Sequence, residues 1–190
     1  MSKTYIEDKT FDGVDFSARE LPRGDYERCS FINCNFANVE LSGINFVECT
    51  FEHCDLSMAE LANTAFRDVQ FKSCRLLGLH FEDCNDFLFS VTFYTCLLNL
   101  ASFYQRGVKG ILFKDCNLQE VDFTEADLSE AVFDNCDLRG AIFEHTKLLN
   151  ADFRTSYNFV INPEVNQIKQ AKFSLAGIAG LLDKYDIIVE

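Results

Sequence analysis

Nine cysteines and three histidines are the residues of this chain that could bind a soft metal, close disulfides or supply a nucleophile with its base. Cys34, Cys54 and Cys74 lie 20 residues apart, as do Cys96, Cys116 and Cys136; Cys29, Cys49 and Cys84 complete the set. A zinc or iron–sulfur site needs thiolates and imidazoles converging on one point, and closely paired ligands such as Cys-x-x-Cys usually announce it. No Cys-x-x-Cys occurs, and His53, His80 and His145 do not belong to the cysteine row. Alanine and valine alternate with cysteine at equivalent places, so the thiols read as buried small apolar groups. Many unpaired thiols imply a reducing compartment. The histidines have no matched serine or cysteine, and no glycine-rich phosphate loop is present, which argues against an enzyme and against a cofactor or metal.

The cysteines fall in one row of a repeat. Every fifth residue is apolar from Ile6 through Phe11, Phe16, Leu21, Tyr26 and Phe31 to Phe81, and again from Leu88 to Phe153; 16 of the 20 phenylalanines sit on this series. A period of five matches neither an α-helix nor a strand. Two residues before each central position stands a small side chain, such as Cys29, Cys34, Ala59, Ala126 or Cys136, and the other three positions are mostly polar. The large and small rows must point inward and fill a narrow interior. The 20-residue cysteine spacing suggests the coil length, four five-residue sides to a coil, and coils would stack about 4.8 Å apart. About seven and a half such coils make a rod of roughly 36 Å whose stability depends on stacked neighbours and capped ends.

Three irregularities interrupt the pattern. Two extra residues separate Phe81 from Leu88, across Glu82-Asp83-Cys84-Asn85-Asp86-Phe87, and the polar residues there suit a bulge or tight turn: either a register correction or a protruding loop that touches a partner. Just beyond, Phe87, Phe89, Tyr94, Leu97, Leu100 and Tyr104 occupy positions that are polar elsewhere and should stand in water as an interface, unless the bulge turns some of them inward. Arg106 falls in the small inward row, where an unpaired guanidinium would not be buried, so local distortion is expected near Gly107 and Gly110. Third, from Ser174 a short helix is expected, with Leu175, Ile178, Leu182 and Tyr185 at helical spacing and Ser174 as N-cap. Ile187-Ile188-Val189 reads as a terminal strand. This tail would cover the last coil, whose open edge otherwise invites pairing, and would form a two-fold contact.

The net charge is −13, and residues 113–153 hold ten acids against Lys114, Arg139 and Lys147. All ten fall on outward positions. Such an acidic face repels nucleic acid and suits a basic groove on another protein, or simply keeps the chain dispersed in water. No apolar run approaches a membrane span and the N-terminus lacks a signal-peptide pattern, so the expected location is the cytoplasm.

Ala126-Asp127-Leu128-Ser129-Glu130, Cys136-Asp137-Leu138-Arg139-Gly140 and Cys54-Asp55-Leu56-Ser57-Met58 resemble the units of pentapeptide repeat proteins. The resemblance implies an all-β fold, a right-handed quadrilateral parallel β-helix, over 1–157 with the frame break at 82–87. Residues 158–190 would hold the last partial coil, the capping and dimerisation helix and the terminal strand. The length, the mid-rod irregularity and the tail Asn162-Pro163-Glu164-Val165-Asn166-Gln167-Ile168 are similar to the topoisomerase-protecting branch, the Qnr-type quinolone-resistance proteins and the albicidin and microcin immunity proteins. Unlike the Qnr type, this chain has only a two-residue excess in place of long inserted loops. The resemblance implies a dimeric acidic rod that binds DNA gyrase, with topoisomerase IV as a second candidate, and shields it from poisons. Steering would fall to Asp115, Glu120, Asp122, Glu125, Asp127, Glu130, Asp134, Asp137, Glu144 and Asp152. Direct contact would fall to Asp83, Asn85, Asp86, Phe87, Phe89, Tyr94 and Tyr104, and dimerisation to Leu175, Ile178, Leu181, Leu182 and Tyr185. The competing reading is an interaction or scaffold module for another protein partner.

Overall fold

The computed structural model describes residues 4–188, which wind into a four-sided parallel β-solenoid of about 7 turns closed by one short C-terminal helix. We number the sides by their inward residues. Ile6, Tyr26, Phe46 and Phe66 begin the first side, on the stacked strands Thr4–Glu7, Gly24–Glu27, Asn45–Val47 and Ala65–Arg67. The second side carries Phe11, Phe31, Phe51, Phe71, Phe93, Phe113 and Phe133 in direct register. The third carries Phe36, Leu56, Leu76, Leu98, Leu118 and Leu138, and the fourth Leu21, Leu41, Leu61, Phe81, Phe103, Phe123 and Phe143; isolated parallel bridges join successive coils on both.

The five-residue step has a local cause. After each central residue the chain must turn through a right angle, and at most corners it does so with one residue in the left-handed region: Asn33, His53, Ser73, Thr95, Asp115 and Asn135 at successive corners of the second side, with φ between 52° and 56°. Asparagine and aspartate tolerate that region better than most residues, which explains their frequency at these places. Asp and Asn before the central residue serve a second need. The carboxylate or amide oxygens of Asp55, Asn117, Asp122, Asp127 and Asp137 accept the backbone N–H two residues on, at 2.8–3.1 Å.

Inside, rings stack along each side and meet edge to face across it. Phe113 lies parallel to Phe93 (centroids 5.2 Å, 3°) and Phe133 (5.2 Å, 14°), and nearly perpendicular to Phe103 (5.8 Å, 88°). Such geometries add to the value of area burial. The small row also carries polar work. The thiols of Cys34, Cys54, Cys74, Cys96 and Cys136 each donate to the carbonyl of the central residue one coil back, Phe11, Phe31, Phe51, Phe71 and Phe113, at 3.2–3.4 Å. Thr64, Thr146 and Ser156 make the same bond with hydroxyls at 2.7–2.9 Å. Cysteine therefore stands where a small side chain with one donor fits. All nine cysteines are free and buried, and burial pushes the Cys49 thiol up to about 12. We expect none of the nine to react with a disulfide reagent at pH 8 in the folded protein and all nine to react in guanidinium. Fast labelling of more than one or two folded-state thiols would contradict this packing.

The lid differs in part from expectation. Residues Ala176–Ile178 form a 3-10 turn, Ala179–Leu182 an α-helical turn and Asp183–Tyr185 a second 3-10 turn. The Ser174 hydroxyl accepts the Gly177 N–H at 3.1 Å, as an N-cap would. A side chain at Gly180 would press on the Phe159 carbonyl, so glycine lets this segment lie directly on the last coil, where Ile161 N–H bonds Gly180 O at 3.0 Å. Ile187 and Ile188 form no strand; they are exposed, with no ladder partner among the described residues, and Val189 lies outside those residues. No helix among the described residues is long and apolar enough to cross a membrane.

Candidate protein-binding surface

The acids of 113–153 do not share a face. A coil of 20 residues distributes a linear cluster around the rod. Asp127 and Glu130 lie on the first side, Asp115, Asp134 and Asp152 on the second and Asp137 on the third. Only Glu120, Asp122, Glu125 and Glu144 lie on the fourth side or its borders. Several of the first three sides' acids face a base one coil away or beside them: Glu130 with Lys109 (3.1 Å), Asp127 with Lys147 (3.8 Å), Asp134 with Lys114 (3.6 Å), Asp55 with Arg75 (3.3 Å) and Asp152 with Arg154 (2.7 Å). Arg154 holds the Asp152 carboxyl below the usual carboxylate range. These surfaces are mixed in sign.

The fourth side is not. It presents Glu20, Glu40, Glu60, Glu82, Asp83, Asp122, Glu125, Glu144 and Glu164, none of them buried. Its bases stand at the ends: Arg19 and Arg23 at the first coil, Arg23 paired with Glu40 at 2.5 Å, and Lys184 of the lid paired with Glu164. Between Leu41 and Phe143, no described lysine or arginine points outward from this side. Sequence reasoning over one linear stretch missed this surface, although Glu20, Glu40 and Glu60 stand one coil apart and Glu40 bridges Glu60 in parallel register. Tyr104, half exposed, stands among these acids, whereas Tyr94 lies on the second side, away from them.

The two-residue excess is a loop at the corner between the fourth and first sides. Register steps from 20 to 22 residues across it, so Val69 pairs with Val91 and Phe71 with Phe93. Leu88, expected in the inward column, is 66% exposed, and Phe87 is 65% exposed. Phe89, expected in water, turns inward instead and packs edge-on against Phe66 (6.5 Å) and Phe81 (6.4 Å). The extra residues are spent on the turn, and the residue after it is the one that regains the inward direction. Asn85 Oδ1 accepts the Phe87 N–H at 2.9 Å, while Asp83 and Asp86 face solvent.

Arg106 produces no distortion. It is 3% exposed, and the coil runs on regularly through Val108 and Ile111. The guanidinium is buried because the loop removes a strand at this level of the first side and leaves carbonyls without backbone donors. Arg106 donates to Cys84 O (3.0 Å), Asn85 O (2.9 Å) and the Asp86 carboxylate, and its guanidinium lies 4.2 Å over the Phe89 ring. At the lid, Leu175 is 91% exposed and Ile178 and Tyr185 are also exposed. Leu181, expected in a dimer contact, packs against the core, and Leu182 is half-buried.

The described residues thus form a four-sided solenoid with one predominantly acidic side and a loop at the corner beside it. Two family models match the chain, "Pentapeptide repeat region" over 25–103 and "Pentapeptide repeats (8 copies)" over 116–154. The chain belongs to the pentapeptide repeat family. Among solved structures it is similar to QnrB1, a plasmid-mediated fluoroquinolone resistance protein, in a trypsin-treated form carrying one substitution: 21% identity, 98% of this chain and 92% of that chain covered, TM-score 0.56. It is also similar to HetL of the cyanobacterium Nostoc sp. strain PCC 7120, involved in heterocyst differentiation regulation: 16% identity, 90% and 85% covered, TM-score 0.47. No curated protein matches the chain.

Proposed function

We propose that this protein is a Qnr-like, cytoplasmic binding protein that engages DNA gyrase, with topoisomerase IV as a second target, and protects it from poisons. The observation that carries the reading is the fourth side, where from the Leu41 coil to the Phe143 coil carboxylates recur without an interleaved lysine or arginine, on every coil but the one that presents Ser102, Tyr104 and Gln105. Negative charge on that side averages about one per coil, or one per about 5 Å along the stack, roughly a third of the density of duplex DNA at about one charge per 1.7 Å. Charge of that density steers the rod to a basic DNA-binding surface but does not hold it there alone, so shape and apolar anchors must add to it. Asp83, Asp86, Phe87 and Tyr104 lie beside the acidic side and supply contacts. Leu175, Ile178, Leu182 and Tyr185 of the lid pair two rods into a dimer.

A supercoiling assay tests this. At micromolar concentration the protein should restore gyrase supercoiling in the presence of a quinolone and lower the yield of cleaved DNA. No binding, and no change in supercoiling with or without poison, would overturn the reading. A second reading, a scaffold module for another protein, draws on Met58 and Leu100, exposed apolar residues at the corner between the third and fourth sides.

A further inference from the structure

We propose that Arg106 is a positioning residue: its buried guanidinium fixes the Asn85–Phe89 turn so that Phe87 and Leu88 form a preformed apolar anchor for a pocket bordered by basic residues on the partner protein. The inference rests on the gyrase reading for the partner's identity. Its physical basis is the cost of burying a charge, which is accepted only where that charge is well partnered. Arg106 meets this through its two terminal nitrogens, which gather two loop carbonyls and one loop carboxylate, and through the loop ring beneath its guanidinium; its Nε is buried without a hydrogen-bond partner, and all its partners lie in Cys84–Phe89. From the other flank, Arg67 Nε donates to Phe87 O at 3.3 Å and its guanidinium lies 5.2 Å from the Phe87 ring. The turn is therefore clamped from the coils on both sides.

What the clamp presents is apolar. Leu88 adopts φ 56°, a left-handed conformation filled at neighbouring corners by Asn63, Asp68 and Ser73 and, at corners between the third and fourth sides, by Met58 and Leu100. Leucine is costly there, and neither Phe87 nor Leu88 contributes to the core. An exposed Phe–Leu pair at a strained, rigidly held tip is poorly accounted for by folding, and rigid apolar groups at low ordering cost are what binding hot spots require. The partner's chemistry follows from the surroundings: Asp83 and Asp86 flank the tip and Glu125 lies further along the same corner, so a basic rim around an apolar pocket is the complement.

The test uses the full chain and gyrase. Phe87→Ala with Leu88→Ala should leave the thermal midpoint within about one degree, since both side chains are exposed, and weaken gyrase binding about ten- to a hundredfold. Arg106→Met should speed amide exchange at residues 84–90 selectively and weaken binding to a similar extent. Added to the double alanine variant, it should cause no further loss. Arg106→Lys, which keeps the charge but can donate to fewer acceptors, should fall between. Equal binding by wild type and the alanine pair would overturn the anchor while leaving the gyrase reading in place. Failure of the wild type to bind gyrase would overturn both. Unchanged loop exchange in Arg106→Met would overturn the positioning role.

Discussion

Phe113→Ala is expected to lower the free energy of unfolding by about 3–5 kcal/mol. The ring is fully buried, stacked on both vertical neighbours and edge-on to Phe103 and Phe123. In a solenoid each coil touches only its neighbours, so no distant contact can refill the void. Set against a total of about 5–15 kcal/mol for a natural domain, the loss is large. Phe11→Ala provides the comparison. Phe11 belongs to the first described coil and is only partly buried, so its cost should be less than half as great. Denaturant titration of the two variants checks this. A Phe113→Ala cost no larger than that of Phe11→Ala would mean that the stacked column is not the stabilising feature of the rod.

The second large effect concerns charge. Reversing Glu60, Asp122 and Glu125 together to lysine should weaken gyrase binding by about a hundredfold or more and flatten its dependence on salt, because each reversal places like charge against a basic surface. Reversing Asp127, Glu130 and Asp134 changes net charge equally but acts on sides where those acids already face Lys147, Lys109 and Lys114. That control should alter binding by less than about threefold, since exposed pairs are individually weak and more distant charges are screened within about 8 Å. Equal losses from the two triples would show that net charge, not the fourth side, governs association.

The inward rows were legible in the sequence because burial imposes them at a fixed period: Phe31, Phe51 and Phe71 had to stack once a 20-residue coil was inferred, and they do. The cysteine row was legible for the same reason, and the lid's Ser174 cap could be read from residue type alone. Leu88 and Phe89 exchanged places because an insertion resets the phase only after the turn is complete, and no local residue preference marks that point. Arg106 was misread because its partners are loop carbonyls, which carry no side-chain signature. The acidic side was hidden by reading charge along the chain. Glu40, Glu60, Glu82 and Asp122 come onto one side only when the chain is wound. Ile187 and Ile188 have strand-forming side chains but no adjacent strand among the described residues to pair with.

The central claim is that the fourth side occupies the surface of gyrase that otherwise holds duplex DNA. The direct measurement is competition: a labelled duplex bound to gyrase is titrated with unlabelled protein while fluorescence anisotropy is followed. Displacement of the duplex, complete near saturation and weaker as salt is raised, is the predicted result. Binding of the protein with the duplex still in place would contradict it.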